Sequence, residues 1–232
     1  MGHFIAQLFH WYTTSAHWRG SNGVPELVWD TVRISVEAVL IALAVALPLG
    51  LWLGHTGRGG FFAINVTNVG RALPAIATLV IGVQIFGIGE PPALATLVVL
   101  SLPPIMTNTY TAVRQVDPDA VDAARGMGMT GWQILFRVEL PASLSLIAAG
   151  VRTAAVQAVA TVTLAAYVAY TCLGSLIIQG ISAGDSGHVE VVAGSLLVVA
   201  VALLTELGLA WLQRALTPPG VRVAERALTT AT

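Results

Sequence analysis

Few residues of this chain could do chemistry, and the kinds present exclude most reactions. Its 232 residues include 11 basic residues, 12 acidic residues, 5 histidines and one cysteine. Every basic residue is arginine, so the lysine that a G-x-x-x-x-G-K-[ST] phosphate loop requires is missing, and the chain builds no such ATP site. Cys172 alone cannot form an internal disulfide or a zinc site made of cysteine pairs. His3, His10 and His17 recur every seven residues, two helical turns apart, which is too far to share one ion. No G-x-S-x-G elbow and no intramembrane His/Glu cluster occurs, and Asp185, His188 and Glu190 read as a solvated turn; an enzyme finds no support. The net charge of -1 and pI near 6.5 argue against a nucleic-acid surface.

What remains is a set of polar side chains inside apolar sequence. Gln84 lies deep in the second such run, Thr107, Asn108 and Tyr110 lie near the end of the third, and Thr153, Gln157 and Thr161 follow at four-residue spacing. Polar groups in hydrocarbon face a bundle interior or a wet path, where each either bonds a neighbouring helix or lines a route for solute. Gln84, Asn108, Tyr110, Gln157 and Thr161 are the candidate path residues. Glu37 and Glu206, about one turn from opposite membrane surfaces, read as snorkelling or arginine-paired.

The elements that hold them are membrane helices. Hydrophobic residues make up 56% and charged residues 10%, with mean hydropathy +0.79, whereas a soluble domain is about a quarter charged. Apolar runs predict about five transmembrane helices: 34–53, 72–89, 93–110, 144–169 and 191–212. The fold class is an all-α polytopic membrane bundle. Tyr170 to Gly184 is apolar but short and broken by Gly174 and Gly180, and reads as a re-entrant piece or, less simply, a sixth span. The expected organisation is an external interfacial segment over 1–30, one transmembrane domain over 31–217 and a tail over 218–232. Nine of the eleven arginines fall on one side of a five-span arrangement, and the positive-inside rule therefore predicts an external N-terminus and a cytoplasmic C-terminus. Trp18, Trp29, Trp52 and Trp211 lie at predicted span ends, as interfacial aromatic belts require. Residues 1–18 lack the apolar core of a signal peptide; Phe4, Trp11 and Trp18 at seven-residue spacing suit a helix lying in the outer interface. Ala38, Ala42, Ala46, Gly50 and Gly54 put a small residue at every fourth position, which predicts a helix–helix seam.

The longest predicted cytoplasmic connection runs over 113–143. Asp117 can cap a helix with Pro118 at its first position, and Asp119 and Asp122 favour its positive end. Ala120, Ala123 and Ala124 give the helix a smooth face before Gly126 and Gly128 stop it. A second piece is predicted from Trp132 to Val138, ended by Leu140-Pro141. A short smooth helix below the membrane is either a surface connector or a shape that docks in a partner's groove.

Here the sequence resembles a known family. Asp122-Ala123-Ala124, three residues, Gly128, nine residues, then Val138-x-Leu140-Pro141 is similar to the E-A-A-x3-G-x9-I-x-L-P loop of binding-protein-dependent ABC importer permeases. Arg71-Ala72-Leu73-Pro74, Asn108-Thr109-Tyr110-Thr111, Gly126 to Trp132 and Ala149 to Thr153 resemble its osmoprotectant branch, for glycine betaine, choline or carnitine. A Gly-rich segment expected after the fourth span reads instead Tyr170-Thr171-Cys172-Leu173-Gly174, which fits one of two non-identical permease subunits. The resemblance implies a non-catalytic permease in the cell membrane, without a cofactor of its own. It implies two permease subunits, two ATPase subunits that bind the ATP, and an external binding protein that delivers solute. Asp122, Ala123, Ala124, Gly128, Val138, Leu140 and Pro141 would couple ATPase closure to alternating access. Tyr110, Tyr167 and Tyr170 could offer cation–π contact to a quaternary amine. The alternatives are a methionine-type amino-acid permease or a passive channel, which would need no coupling helix.

Overall fold

The computed structural model describes residues 2–20, 22–57, 60–61, 65, 68, 70 and 72–216; among them no strand occurs. The expected tail over 218–232, and Arg58, Arg71, Arg222 and Arg226 of the charge argument, lie outside the described residues. In chain order the elements are α1 (Gly2–Thr13), a 3-10 turn (Ser15–Trp18), α2 (Val24–Thr56), α3 (Ala75–Phe86), α4 (Glu90–Arg114), α5 (Pro118–Gly126) and α6 (Gly131–Ile134). A π turn (Leu135–Glu139), α7 (Leu140–Thr161), a 3-10 segment (Val162–Val168), α8 (Leu173–Ser182), a 3-10 turn (Gly184–Gly187) and α9 (His188–Leu216) complete them.

Among the described residues, four helical runs are long and apolar enough to cross a membrane: Val24–Thr56, Glu90–Arg114, Gly131–Val168 and Gly184–Arg214. They contain four of the five expected spans. The span expected over 72–89 is a shorter helix, α3, whose 12 residues extend about 18 Å against a hydrocarbon core of about 30 Å. Pro74 stands at its N-cap with extended backbone, and Gly87, at φ +81, closes the other end by donating to the Val83 carbonyl. The apolar stretch after the fourth span contains α8, only 10 residues long.

Contacts divide the chain into two compact units. One comprises Met1–Ile41, Leu73–Ser101 and Ala155–Glu206; the other comprises Ala42–Ala72, Leu102–Ala154 and Leu207–Thr232. In the first, Trp11, Leu27, Val159, Leu173, Ala193 and Val198 are central to one buried cluster. α1 is tied into that unit: Tyr12 donates to the Ala193 carbonyl at 2.8 Å, Trp18 Nε1 donates to the Tyr12 carbonyl at 2.7 Å, and His17 stacks on buried Trp11 at 4.4 Å. Burial raises the Tyr12 phenol above its usual range. Gly174 touches the Thr163 backbone so closely that a Cβ there would collide with it.

In the second unit, Leu51, Ala112, Val113, Leu135 and Ile147 form the core, with Leu47, Leu140 and Leu146 against them. The small-residue stripe of α2 is a seam within this chain. A Cβ at Gly50 would stand 2.7 Å from Thr109 Cβ, and one at Gly54 2.7 Å from Val113 Cβ, so α2 and α4 meet backbone to side chain. Ala42 and Ala46 are fully buried. Lipid gives no hydrophobic drive for helix association, so such close approach supplies the dispersion contact that holds the pair. α4 meets α7 in the same way: a Cβ at Gly150 would lie 2.6 Å from Asn108 Cβ.

Candidate functional site

α5 is built as its sequence requires. Asp117 Oδ1 accepts the Asp119 backbone N–H at 3.0 Å, Pro118 takes the first helical position, and Asp119 faces the positive end of the helix dipole. At the other end Gly128 N–H donates to the Arg125 carbonyl at 2.9 Å and Met129 N–H to the Ala124 carbonyl at 3.2 Å. These two bonds make a Schellman stop, which needs the left-handed conformation that Gly128 adopts at φ +81. Thr130 and Gln133 then form a capping box: Thr130 N–H donates to Gln133 Oε1 at 2.7 Å and Gln133 N–H donates to Thr130 Oγ1 at 3.4 Å.

The seven residues that the loop resemblance singled out divide by placement. Ala123, Asp122 and Gly128 are exposed, whereas Ala124 is 1% exposed and turned inward. Asp122 pairs with Arg125 at 3.3 Å; both are well exposed, and such a pair contributes little. Val138, Leu140 and Pro141 are half-buried, and Leu140 packs on the second unit's core. The exposed side carries more apolar surface than the loop motif names: Met127 is 76% exposed, and Trp132 and Phe136 stack at 5.9 Å while both face solvent. Met127 lies before the Gly131–Val168 run, and Trp132 and Phe136 lie at its start, so this apolar surface gathers at one end of that run.

One expectation fails here. Leu140-Pro141 does not end the second loop helix; α6 runs through the π turn into α7. Pro141 has no N–H for the carbonyl four residues back and its ring crowds that carbonyl. The π turn widens the coil locally, and Leu140 N–H bonds the Leu135 carbonyl, so the chain continues as helix past the proline.

The candidate path residues are spread over both units. In the first, Gln84 and Gln157 are exposed, and Thr161 borders a small crevice with Leu79, Ala93, Thr96 and Leu97. In the second, Asn108 Nδ2 donates to its own helix at the Pro104 carbonyl, 2.7 Å, and its Cβ lies in the α4–α7 seam. Tyr110 is half-buried, its hydroxyl 2.7 Å from where a Cβ on Gly60 would be. Of the other tyrosines, Tyr167 is exposed and Tyr170 is buried at 7%.

Two polar groupings go beyond the sequence reading, which offers only an arginine for Glu37. In the first unit Arg33 Nη2 donates to Glu90 Oε2 at 2.7 Å and to Tyr170 Oη at 3.3 Å, while Tyr170 donates to the Asp30 carbonyl at 3.1 Å and Glu37 lies 3.9 Å from Arg33. This ties α2, the start of α4 and the segment after residue 168 together; opposite charges at two span ends were its signal. In the second unit His55 Nδ1 lies 2.6 Å from Glu139 Oε2. Glu139 fills the unspecified position of V-x-L-P, and the motif itself gave no signal for it.

Four helical runs long and apolar enough to cross a membrane, with a capped, exposed loop helix between two of them, are the features of a membrane protein. Residues 46–218 match the family model described as the binding-protein-dependent transport system inner membrane component, and the chain belongs to that family. It is similar to the carnitine transport permease protein OpuCB of Listeria monocytogenes, 37% identical over 196 residues, 84% of this chain and 89% of that one. It is 36% identical over 185 residues to the glycine betaine/carnitine/choline transport system permease protein OpuCD of Bacillus subtilis (strain 168), covering 80% of each. Among solved structures, an inward-facing form of the MetNI methionine ABC transporter superposes with a TM-score of 0.73 at 22% identity, over 84% of this chain and 96% of that one. That likeness shows the fold: a type I ABC importer permease.

Proposed function

We propose that this chain forms the translocation path of an ATP-driven importer for a quaternary-amine osmoprotectant such as carnitine, glycine betaine or choline. The observation that carries the substrate class is the likeness, over four fifths of the chain or more, to permeases named for those solutes. The methionine transporter shares the fold at an identity that carries no substrate argument. Recognition of the quaternary amine resides mainly in an external binding protein, with Gln84, Tyr110, Gln157 and Thr161 facing the solute during passage.

α5 is the coupling helix. Its exposed Ala123, with Met127 and the Trp132–Phe136 stack, offers an ATPase subunit a smooth apolar contact, and Gly128 sets where the helix ends. Asp122, Ala123, Ala124, Gly128, Val138, Leu140 and Pro141 divide this work between presentation and anchoring. The N-terminus is external and α5 cytoplasmic, supported by the arginines of 114–152 and after α9. Two permease subunits, identical or related, complete the path.

The test is uptake of labelled carnitine, glycine betaine and choline under salt stress, in cells with and without the gene. Loss of uptake on deletion supports the reading and ranks the solutes; unchanged uptake of all three overturns the substrate class. Ala123→Arg, on an exposed site where the chain itself imposes no clash, should abolish both transport and co-purification of the ATPase.

A further inference from the structure

We infer that His55 and Glu139 form a positioning pair that fastens the Thr56 end of α2 to the helix carrying the coupling loop; this rests on the coupling reading of α5. Glu139 is 6% exposed, and its carboxylate meets His55 Nδ1 at 2.6 Å. A carboxylate taken out of water needs a charged or hydrogen-bonding partner, and the imidazole is placed to be it. The other side of the same ring is also occupied: a Cβ on Gly131 would stand 3.3 Å from His55 Nε2. The ring therefore spans the stretch from Gly131, at the start of α6, to Glu139, the last residue of the π turn.

That stretch is the base of the coupling loop. Thr130 caps it, Met129 bonds back to Ala124 of α5, and Leu135 packs on Leu51, Ala112 and Val113. A push on α5 thus enters a short helical platform that the His55–Glu139 contact attaches to α2. Apolar packing alone lets helices slide by small steps, whereas a short charge-assisted hydrogen bond fixes register and direction. His55 lies in the last turn of α2, a helix of 33 residues, and in the same unit as Glu139. π turns concentrate at functional positions because the local widening re-aims a side chain, and here the residue so placed is Glu139.

The experiment uses the full transport complex with its ATPase, in cells for uptake of labelled carnitine, glycine betaine and choline, and purified for ATP hydrolysis. His55→Ala and Glu139→Ala should each lower uptake at least tenfold while the ATPase still co-purifies and hydrolyses ATP. Glu139→Gln, which keeps an acceptor at the same place, should restore uptake to within threefold of the parent. Should the single variants fail to accumulate, His55→Leu with Glu139→Leu leaves no buried charge; it should insert normally and still transport at least tenfold less per ATP. Parental uptake by that double variant, or no rescue by glutamine, overturns the inference. Ala123→Arg separates the two readings. If it abolishes ATPase co-purification while the His55 and Glu139 variants transport normally, the pair alone is wrong; if it changes nothing, the coupling reading falls and the pair's role with it.

Discussion

Gly128 shows how much one residue decides. At φ +81 it closes α5, and no Cβ contact lies within 4 Å, so its requirement is conformational and not steric. Gly128→Ala should therefore cost about 1 kcal/mol locally, fray the last turn of α5 and reduce transport in part. Gly128→Asp adds a carboxylate to the docking face and should abolish transport while membrane insertion, measured by immunoblot of washed membranes, stays normal; uptake at the parental rate by that variant would falsify the coupling role of the loop. Ala169 is the opposite case. It caps the 3-10 segment at φ +60 with a side chain that the left-handed region disfavours. Ala169→Gly should raise stability by about 0.5–1 kcal/mol, seen as a higher thermal midpoint of the purified protein in detergent.

At the scale of elements, the helices meet where glycine lets them. Gly150 is the sharpest instance: a Cβ there would lie 2.6 Å from Asn108 Cβ and 2.9 Å from the Pro104 carbonyl. One of those neighbours is backbone and cannot give way, so Gly150→Val should overpack the α4–α7 seam by about 1–3 kcal/mol and lower the thermal midpoint. An unchanged midpoint would mean that the seam is looser than described. The same seam also engages a polar side chain. Asn108 reads from its sequence as a path residue; its amide bonds the Pro104 carbonyl and its Cβ lies against α7.

For the whole molecule, the distinguishing behaviour is dependence on a partner. The chain belongs to the binding-protein-dependent transport family, whose permease subunits leave ATP hydrolysis to a partner, so the energy for uphill import enters from an ATPase subunit. Disabling hydrolysis in that subunit should bring uptake to background; persistent flux would indicate a channel. Topology is tested on a Cys172→Ser background with single cysteines at Ser15 and Gln115. An impermeant thiol reagent applied to intact cells should label position 15 and spare position 115.

The amino-acid sequence by itself determined the long apolar helices, the cap at Asp117 and the stop after Gly126. Each depends on neighbours within a turn or two, or on the length of an apolar run, and these are local quantities. It also placed the small-residue stripe of α2, though not its partner. Only the tertiary structure decided that α4 lies against Gly50 and Gly54, that Pro141 is absorbed by a π turn, and that Arg33 meets Glu90 and Tyr170. His55 and Glu139 are 84 residues apart in the chain, and neither has a sequence neighbour that demands the other. A buried carboxylate finds its partner through the packing of helices, and no local pattern records which helix that will be.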